Sequence, residues 1–168
     1  MKNTNTHSST QTVVPETETN TVAVSRKRIR NGPAPATVKK RAQAVLATLG
    51  CTHCELSIVL SDDTFIQTLN IEYRQKDQPT DVLSFPMNEG ALHSPTGLLL
   101  GDIVISLETA SRQAEELGGT LLDEVTSLLI HGILHLMGYT HENDANEKQM
   151  KHRAFELLKL FKNPSITS

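Results

Sequence analysis

Hydrophobic residues recur at helical spacing in five stretches of the chain and in shorter, strand-like runs in three others. The spacing predicts helices over 38–49, 61–73, 107–117, 120–137 and 144–161, and strands over 55–60, 82–85 and 98–106. Gly50, Gly118 and Gly138 each follow a helical stretch and are placed to end it. Because helices outnumber strands and the two do not strictly alternate, the pattern favours an α+β fold with a small sheet.

The N-terminal thirty residues have a different composition. Residues 1–21 are mostly Thr, Asn, Ser and Gln, and the basic sequence Arg26-Lys27-Arg28-Ile29-Arg30 follows. So little apolar surface does not offset the entropy cost of folding. We therefore expect a disordered tail over 1–30 with a basic end, a single domain over 31–163 and a short C-terminal tail over 164–168. For the basic residues at the end of this tail, we favour exposure to solvent over contact with a polyanion.

Length, composition and charge narrow the class of protein. The 168 residues suffice for one ordinary domain, and 38% of them are hydrophobic, enough for a packed core. The net charge of −3 argues against a protein that coats nucleic acid by bulk charge, although a local basic patch remains compatible with it. No run of roughly 18 apolar residues is present, so we expect no membrane partner. The N-terminus lacks a secretory signal, which leads us to expect a cytoplasmic protein.

Three histidines form the pattern that carries chemistry. His131 and His135 are four residues apart on a predicted helix, and therefore differ by only about 40° in direction around its axis. A turn at Gly138 would bring His141 to the same place. Three imidazoles leave one tetrahedral position open, as in a catalytic zinc site, where a bound water has its pKa lowered to about 7. The pattern predicts one Zn²⁺ bound by His131, His135 and His141.

The spacing HxxxHxxGxxH is similar to that of metzincin-type zinc peptidases, which leaves a zinc metallopeptidase as one alternative. Those enzymes have a glutamate general base directly after the first histidine, and here that position is Gly132. The sequence therefore disfavours a peptidase of this mechanism. Glu124 is about 10 Å along the helix from His131, too far to be a direct ligand.

A polar segment between the second helix and the second strand has its own candidate residues. Arg74 and Lys76 could hold a phosphodiester and offset charge in its transition state, provided that the fold brings them to the metal. Asp77 and Asp81 have the character of turn formers. Cys51 and Cys54 form a single pair, for which a structural role is favoured over a metal site.

Three stretches in this order together resemble the YbeY family of bacterial metal-dependent endoribonucleases. They are Tyr73-Arg74-x-Lys76-Asp77-x-Pro79-Thr80-Asp81-Val-Leu-Ser84-Phe85-Pro86, Leu100-Gly101-Asp102-Ile103-Val104-Ile105, and His131-Gly-x-Leu-His135-Leu-x-Gly138-Tyr139-x-His141. The resemblance extends over about 29–161, and we expect no family counterpart for the residues before it. The family usually has Asp where this chain has Thr140, whose hydroxyl can still make a turn hydrogen bond.

The resemblance implies a compact α+β fold with a small mixed sheet, zinc on the three histidines, and Arg74 as the catalytic residue important for RNA cleavage. It implies a single-strand-specific zinc-dependent endoribonuclease acting in rRNA processing, specifically 16S rRNA 3′-end maturation, and in ribosome quality control. Expected partners are single-stranded RNA, rRNA and the ribosome or its proteins, with no DNA. Besides the peptidase, a non-catalytic ribosome-assembly factor with a structural metal remains an alternative.

Overall fold

The computed structural model describes residues 19–87 and 98–162. These residues form four strands, five α-helices and a final 3₁₀ turn. The strands are β1 (Thr21–Lys27), β2 (Glu55–Ser61), β3 (Val82–Pro86) and β4 (Leu99–Ser106). The helices are α1 (Pro35–Thr48), α2 (Asp63–Arg74), α3 (Leu107–Leu117), α4 (Leu121–Leu136) and α5 (Asp144–Leu158), and the 3₁₀ turn is Lys159–Phe161.

The strands form one mixed sheet in the order β1-β2-β4-β3. β1 pairs with β2 and β2 with β4 in parallel, whereas β3 pairs antiparallel with β4. With five helices beside it, this small mixed sheet confirms the α+β prediction. The three strands and five helices that the hydrophobic pattern predicts are all present, with boundaries that differ by a few residues.

The fourth strand, β1, contradicts the prediction of a disordered tail over residues 1–30. Residues 21–27 lie along β2 in parallel register, from Thr21 beside Glu55 to Lys27 beside Ser61. Val22 is buried in the core, and the Asn20 side chain donates to the Cys51 carbonyl and accepts from the Cys54 amide. The prediction was wrong here because the strand is short and lies between polar segments. Residues 1–18 and 88–97 and the predicted C-terminal tail over 164–168 lie outside the described residues.

Side-chain caps fix where the later helices begin. Asp62 accepts from the Phe65 amide at the start of α2, and Thr120 accepts from the Asp123 amide at the start of α4. Asn143 caps α5, one residue before the predicted start at Asp144. These caps fix the first turns of α2 and α4, and both helices contribute to the candidate site.

The two faces of the sheet are covered differently. The main core lies between one face and helices α1, α4 and α5, with Ile58, Ile103 and Ile133 fully buried in it. On the other face, Ile66 of α2 packs with Leu83 and Val104 in a smaller cluster. Side chains of the edge strand β3 alternate between these two sides. β3 therefore separates two regions of the surface.

Within the described ranges, no single helix is long and apolar enough to cross a membrane. α3 and α4 are long and apolar enough only when taken together, and the two helices are bent by 113° relative to each other. Nine residues of α4 are buried within the fold.

Candidate active site

His131 and His135 project from the same face of α4, as their spacing predicts. Their Nε2 atoms are 3.0 Å apart, and the Nδ1 atom of His135 is 3.1 Å from the Tyr139 carbonyl oxygen. Because a carbonyl only accepts, Nδ1 of His135 is the protonated nitrogen, and its Nε2 carries a lone pair directed at His131. Such a tautomer is the one required of an imidazole that binds a metal through Nε2.

His141 completes the group, here called the histidine cluster. Candidate ligand atoms of the three rings all lie within 4.8 Å of one another. Gly138 has a φ of 96°, in the region that favours glycine, and this turn brings the chain back after α4. A hydrogen bond connects the turn to α5, because the side-chain amide of Asn146 donates to the Thr140 hydroxyl at 3.2 Å. The Thr140 hydroxyl thus contacts α5, rather than making the turn hydrogen bond expected of it.

The surroundings keep the two helical histidines uncharged near neutral pH. Burial, followed by the neighbouring His141 ring, lowers the pKa of His131. Burial, and then the His131 and His141 rings, lowers the pKa of His135 to about 4. Neutral imidazoles are the form that binds a metal, so no proton has to be displaced from these two rings.

Gly132 faces the core. It directly follows the first helical histidine, at the position where zinc peptidases of the metzincin type have their glutamate. A Cβ atom here would lie 3.0 Å from both Cδ1 and Cγ2 of Ile103. There is no room for a side chain directed at the histidine cluster. The packing therefore agrees with the sequence in disfavouring a peptidase that has its general base at this position.

Arg74 lies beside the histidines, a placement that its sequence position alone does not establish. A cleft of about 340 Å³, here called the histidine cleft, is lined by Arg74, Asp81, Val82, Ser84, Pro86, His131 and His135. Arg74 is the last residue of α2, and Gln75 follows in a left-handed conformation that ends the helix. The Ser84 hydroxyl donates to the Gly132 carbonyl at 3.4 Å, which links β3 to α4 across the cleft. The other basic candidate, Lys76, is not among the lining residues.

The cleft also contains a carboxylate for which the sequence predicts only the role of a turn former. The Asp81 carboxylate accepts from the backbone amide of Val82 at 2.7 Å, as a turn former does. It also accepts from the side-chain amide of Gln113 at 3.2 Å. Burial, and then Asp81, raises the pKa of Glu124. Glu124 is not part of the histidine cluster, in agreement with its calculated distance along the helix. Asp81 directly precedes β3, and its place in the cleft follows from the tertiary structure rather than from a sequence motif.

The remaining candidates lie elsewhere. Cys51 and Cys54 are buried and form no disulfide, and burial together with Cys54 raises the pKa of the Cys51 thiol to about 12. Cys51 contacts Met137 at 3.8 Å between sulfurs, so the pair belongs to the core. His53 and His152 are exposed and do not belong to a metal-ligating group among the described residues.

Comparison with known proteins identifies the family. Residues 16–162 match the family model described as Endoribonuclease YbeY. The chain belongs to the YbeY endoribonuclease family. The match starts at residue 16, so the expectation that residues before about 29 have no family counterpart is wrong, in agreement with the presence of β1.

Individual YbeY relatives support the assignment. Endoribonuclease YbeY of Aquifex aeolicus is 49% identical over 121 residues, which are 71% of this chain and 77% of that protein. Endoribonuclease YbeY of Geobacter metallireducens is 38% identical over 131 residues, 77% of this chain and 87% of that protein. The solution structure of TM1509 from Thermotoga maritima superimposes with a TM-score of 0.60 at 26% identity, covering 88% of this chain and 96% of that one.

Proposed function

We propose that this protein is a zinc-dependent endoribonuclease that cleaves single-stranded RNA in the histidine cleft. The observation that carries the proposal is the shared lining of this cleft by Arg74, His131 and His135. A cation for the phosphate and a set of metal ligands thus face the same space. Family membership supports phosphodiester cleavage in RNA as the reaction.

The donor set fits a metal. His131, His135 and His141 would hold the ion, and three nitrogen ligands suit Zn²⁺ better than Mg²⁺, which prefers oxygen. Once bound, a zinc ion would supply Lewis acidity at the cleft. The Tyr139 carbonyl fixes the His135 ring with its Nε2 toward the cluster, which supports ligand geometry before any metal arrives.

Arg74 would act on the phosphate. A guanidinium can donate two parallel N–H groups to two non-bridging oxygens, and it stays charged at every relevant pH. As phosphorus becomes five-coordinate, negative charge grows on those oxygens, and a fixed cation stabilises that state more than the ground state. Asp81 and Glu124 place negative charge nearby, so the cleft as a whole is not a generic anion site.

The biological setting follows from the family. We propose rRNA processing, with 16S rRNA 3′-end maturation as the reaction and ribosome quality control as the context, in the cytoplasm. The chain carries a net charge of −3, so it has few phosphate contacts to offer outside the cleft. Delivery of the RNA by the ribosome or a ribosomal protein would compensate for this, and cleavage of free RNA would fall steeply with salt.

The structure bears on both alternatives. The packing of Gly132 against Ile103 disfavours the peptidase alternative, because it leaves no room for a glutamate side chain at residue 132. An assembly factor with a purely structural metal would be expected to have a closed site, whereas the helical histidines line an open cleft that also contains Arg74. The test is cleavage of labelled single-stranded RNA by wild type, Arg74→Ala and His135→Ala. We expect cleavage by the wild type alone, and equal cleavage by all three would overturn the proposal.

A further inference from the structure

A second cavity lies on the opposite side of β3 from the histidine cleft. It has a volume of about 300 Å³, and its lining includes Phe65, Leu69, Tyr73, Phe85 and Asp102. We call it the aromatic pocket. Its walls come from α2 and from the face of the sheet that α2 covers only in part. None of its residues belongs to the histidine cluster or lines the histidine cleft.

The pocket combines two aromatic rings with one carboxylate. Tyr73 and Phe85 meet edge to face with centroids 5.0 Å apart, and Tyr73 is 57% exposed. Asp102 lies directly opposite Phe85 in the β3–β4 ladder, so their side chains share a face with Cβ atoms about 5 Å apart. Within residues 19–87 and 98–162, no side-chain hydrogen bond or ion pair engages Asp102. An apolar, ring-lined space with one available acceptor suits a flat heterocycle that has N–H donors on its edge.

The aromatic pocket is adjacent in the chain to the histidine cleft at two points. Tyr73 lines the pocket, and the next residue, Arg74, lines the cleft. Phe85 lines the pocket, and its neighbours Ser84 and Pro86 line the cleft, because strand residues alternate between faces. The edge strand β3 and the last turn of α2 thus contribute side chains to both cavities. A single strand of RNA whose phosphate sits at Arg74 can pass this edge with an adjacent base on the other side.

We propose that the aromatic pocket is a base-binding subsite for a nucleotide next to the scissile phosphate. The inference rests on the proposed function, because it takes the substrate to be single-stranded RNA. Proteins recognise unpaired bases by stacking them on aromatic rings and by hydrogen bonds to their Watson–Crick edge. Tyr73 and Phe85 provide the rings and Asp102 provides the acceptor.

The carboxylate makes the subsite selective. Guanine presents two adjacent donors, N1–H and the 2-amino group, which match the two oxygens of a carboxylate. Uracil presents only N3–H, and inosine has lost the 2-amino group of guanine. We therefore expect guanine to bind more tightly than inosine or uracil. Loss of one hydrogen bond to a charged group corresponds to about a tenfold change in affinity.

The experiment is an NMR titration of the full chain with the RNA trinucleotides U-G-U, U-I-U and U-U-U. Tyr73 is one of only two tyrosines and Phe85 one of four phenylalanines, so their ring signals can be assigned. We expect both rings to shift with U-G-U, at about tenfold higher affinity than with U-I-U. Asp102→Asn is expected to abolish that difference, whereas Glu115→Gln, an exposed carboxylate change on α3, preserves it.

A second readout uses cleavage. Product ends from a randomised single-stranded RNA pool should show guanine enriched at one position beside the cut for the wild type, and no enrichment for Asp102→Asn. If the wild type cuts RNA while neither ring shifts, the subsite is refuted and a protein segment becomes the better occupant of the pocket. An unchanged base preference in Asp102→Asn also refutes it. If the rings shift as expected and RNA is not cut, the subsite stands and the proposed cleavage activity fails.

Discussion

Gly132 lies directly against Ile103, so that a single methyl group added to the glycine would come within 3.0 Å of two carbons of the isoleucine. This contact is where α4 approaches β4, between the two helical histidines. It keeps the backbone of α4 close to the sheet, and the Gly132 carbonyl accepts from Ser84 on β3. The spacing of α4 from the sheet and the position of the histidines therefore depend on the absence of a side chain at residue 132.

Replacing Gly132 with alanine should destabilise the protein despite the higher helix propensity of alanine. The propensity gain is about 1 kcal/mol, and overpacking in a filled core costs roughly 1 to 3 kcal/mol. We expect a net loss of about 1 kcal/mol in the free energy of unfolding, measured by urea denaturation. The loss should be smaller in an Ile103→Val background, where one of the two closest carbons is absent. An additive double mutant would show that the contact is not responsible.

Removing any one of the three clustered histidines should abolish stoichiometric metal binding. His131→Ala, His135→Ala and His141→Ala each leave two nitrogen ligands, too few to hold zinc firmly. Protein purified without chelator would be analysed by elemental mass spectrometry. His152→Ala removes an exposed histidine on α5 and is the matched control. Full metal content in His135→Ala would exclude the assigned ligand set.

The metal-free protein should become less stable as the pH falls from about 6.5 toward 4. Burial and the neighbouring His131 and His141 rings lower the pKa of His135 to about 4 in the folded state. The unfolded chain, with an ordinary histidine pKa of about 6.5, therefore binds more protons in this interval, and stability declines with acidification. Since part of the ring is open to screening solvent, we expect about 1 to 2 kcal/mol from this residue.

The comparison that isolates this effect is the pH dependence of unfolding in metal-free wild type and His135→Gln. Carboxylates titrate in the same interval in both proteins, and only the histidine differs. The variant should show the shallower decline between pH 6.5 and 4. Identical slopes would mean that His135 has an ordinary pKa in the folded protein.

Asn20 should anchor the N-terminal strand. Its side chain is buried and joins the Cys51 carbonyl and the Cys54 amide through two hydrogen bonds of 3.0 and 2.9 Å. Asn20→Ala leaves both backbone groups without this partner and should cost about 2 kcal/mol in thermal or urea unfolding. Asn31→Ala, at an exposed position with no side-chain hydrogen bond among the described residues, should change little. Equal stability of the two variants would show that β1 is not anchored in this way.

The sequence predicts an element well when its hydrophobic pattern is long and clearly bounded by polar or capping residues. α4 has a cap at Thr120, a long apolar stretch and a glycine after it, and the prediction was accurate within a residue or two. β1 has only two valines facing the core, between a Thr-rich segment and a basic one. Its order comes from pairing with β2 and from Asn20, contacts across more than thirty residues of sequence that a local pattern does not contain.

In the candidate site, too, the sequence predicts the features that local geometry sets but not those that depend on tertiary packing. The four-residue spacing of His131 and His135 and the turn at Gly138 follow from helix geometry, and these residues do lie together. The approach of Arg74 to them depends on how α2 and β3 pack beside α4, which no spacing reveals. The sequence predicts Asp81 only as a turn former because aspartate side chains commonly accept from nearby backbone amides, and its place in the cleft depends on the tertiary structure.

The most direct test of a joint role for Arg74 and the histidine cluster is the rate of cleavage of a labelled single-stranded RNA by wild type and Arg74→Lys, each with and without chelator. Lysine keeps the charge but lacks the planar pair of donors that a phosphate can engage. We expect the wild type to cleave only without chelator, and Arg74→Lys to retain its metal while losing about 100-fold in rate, as for removal of one transition-state donor. Chelator-resistant cleavage, or equal rates for the two proteins, would contradict a site in which Arg74 and the histidine cluster act together.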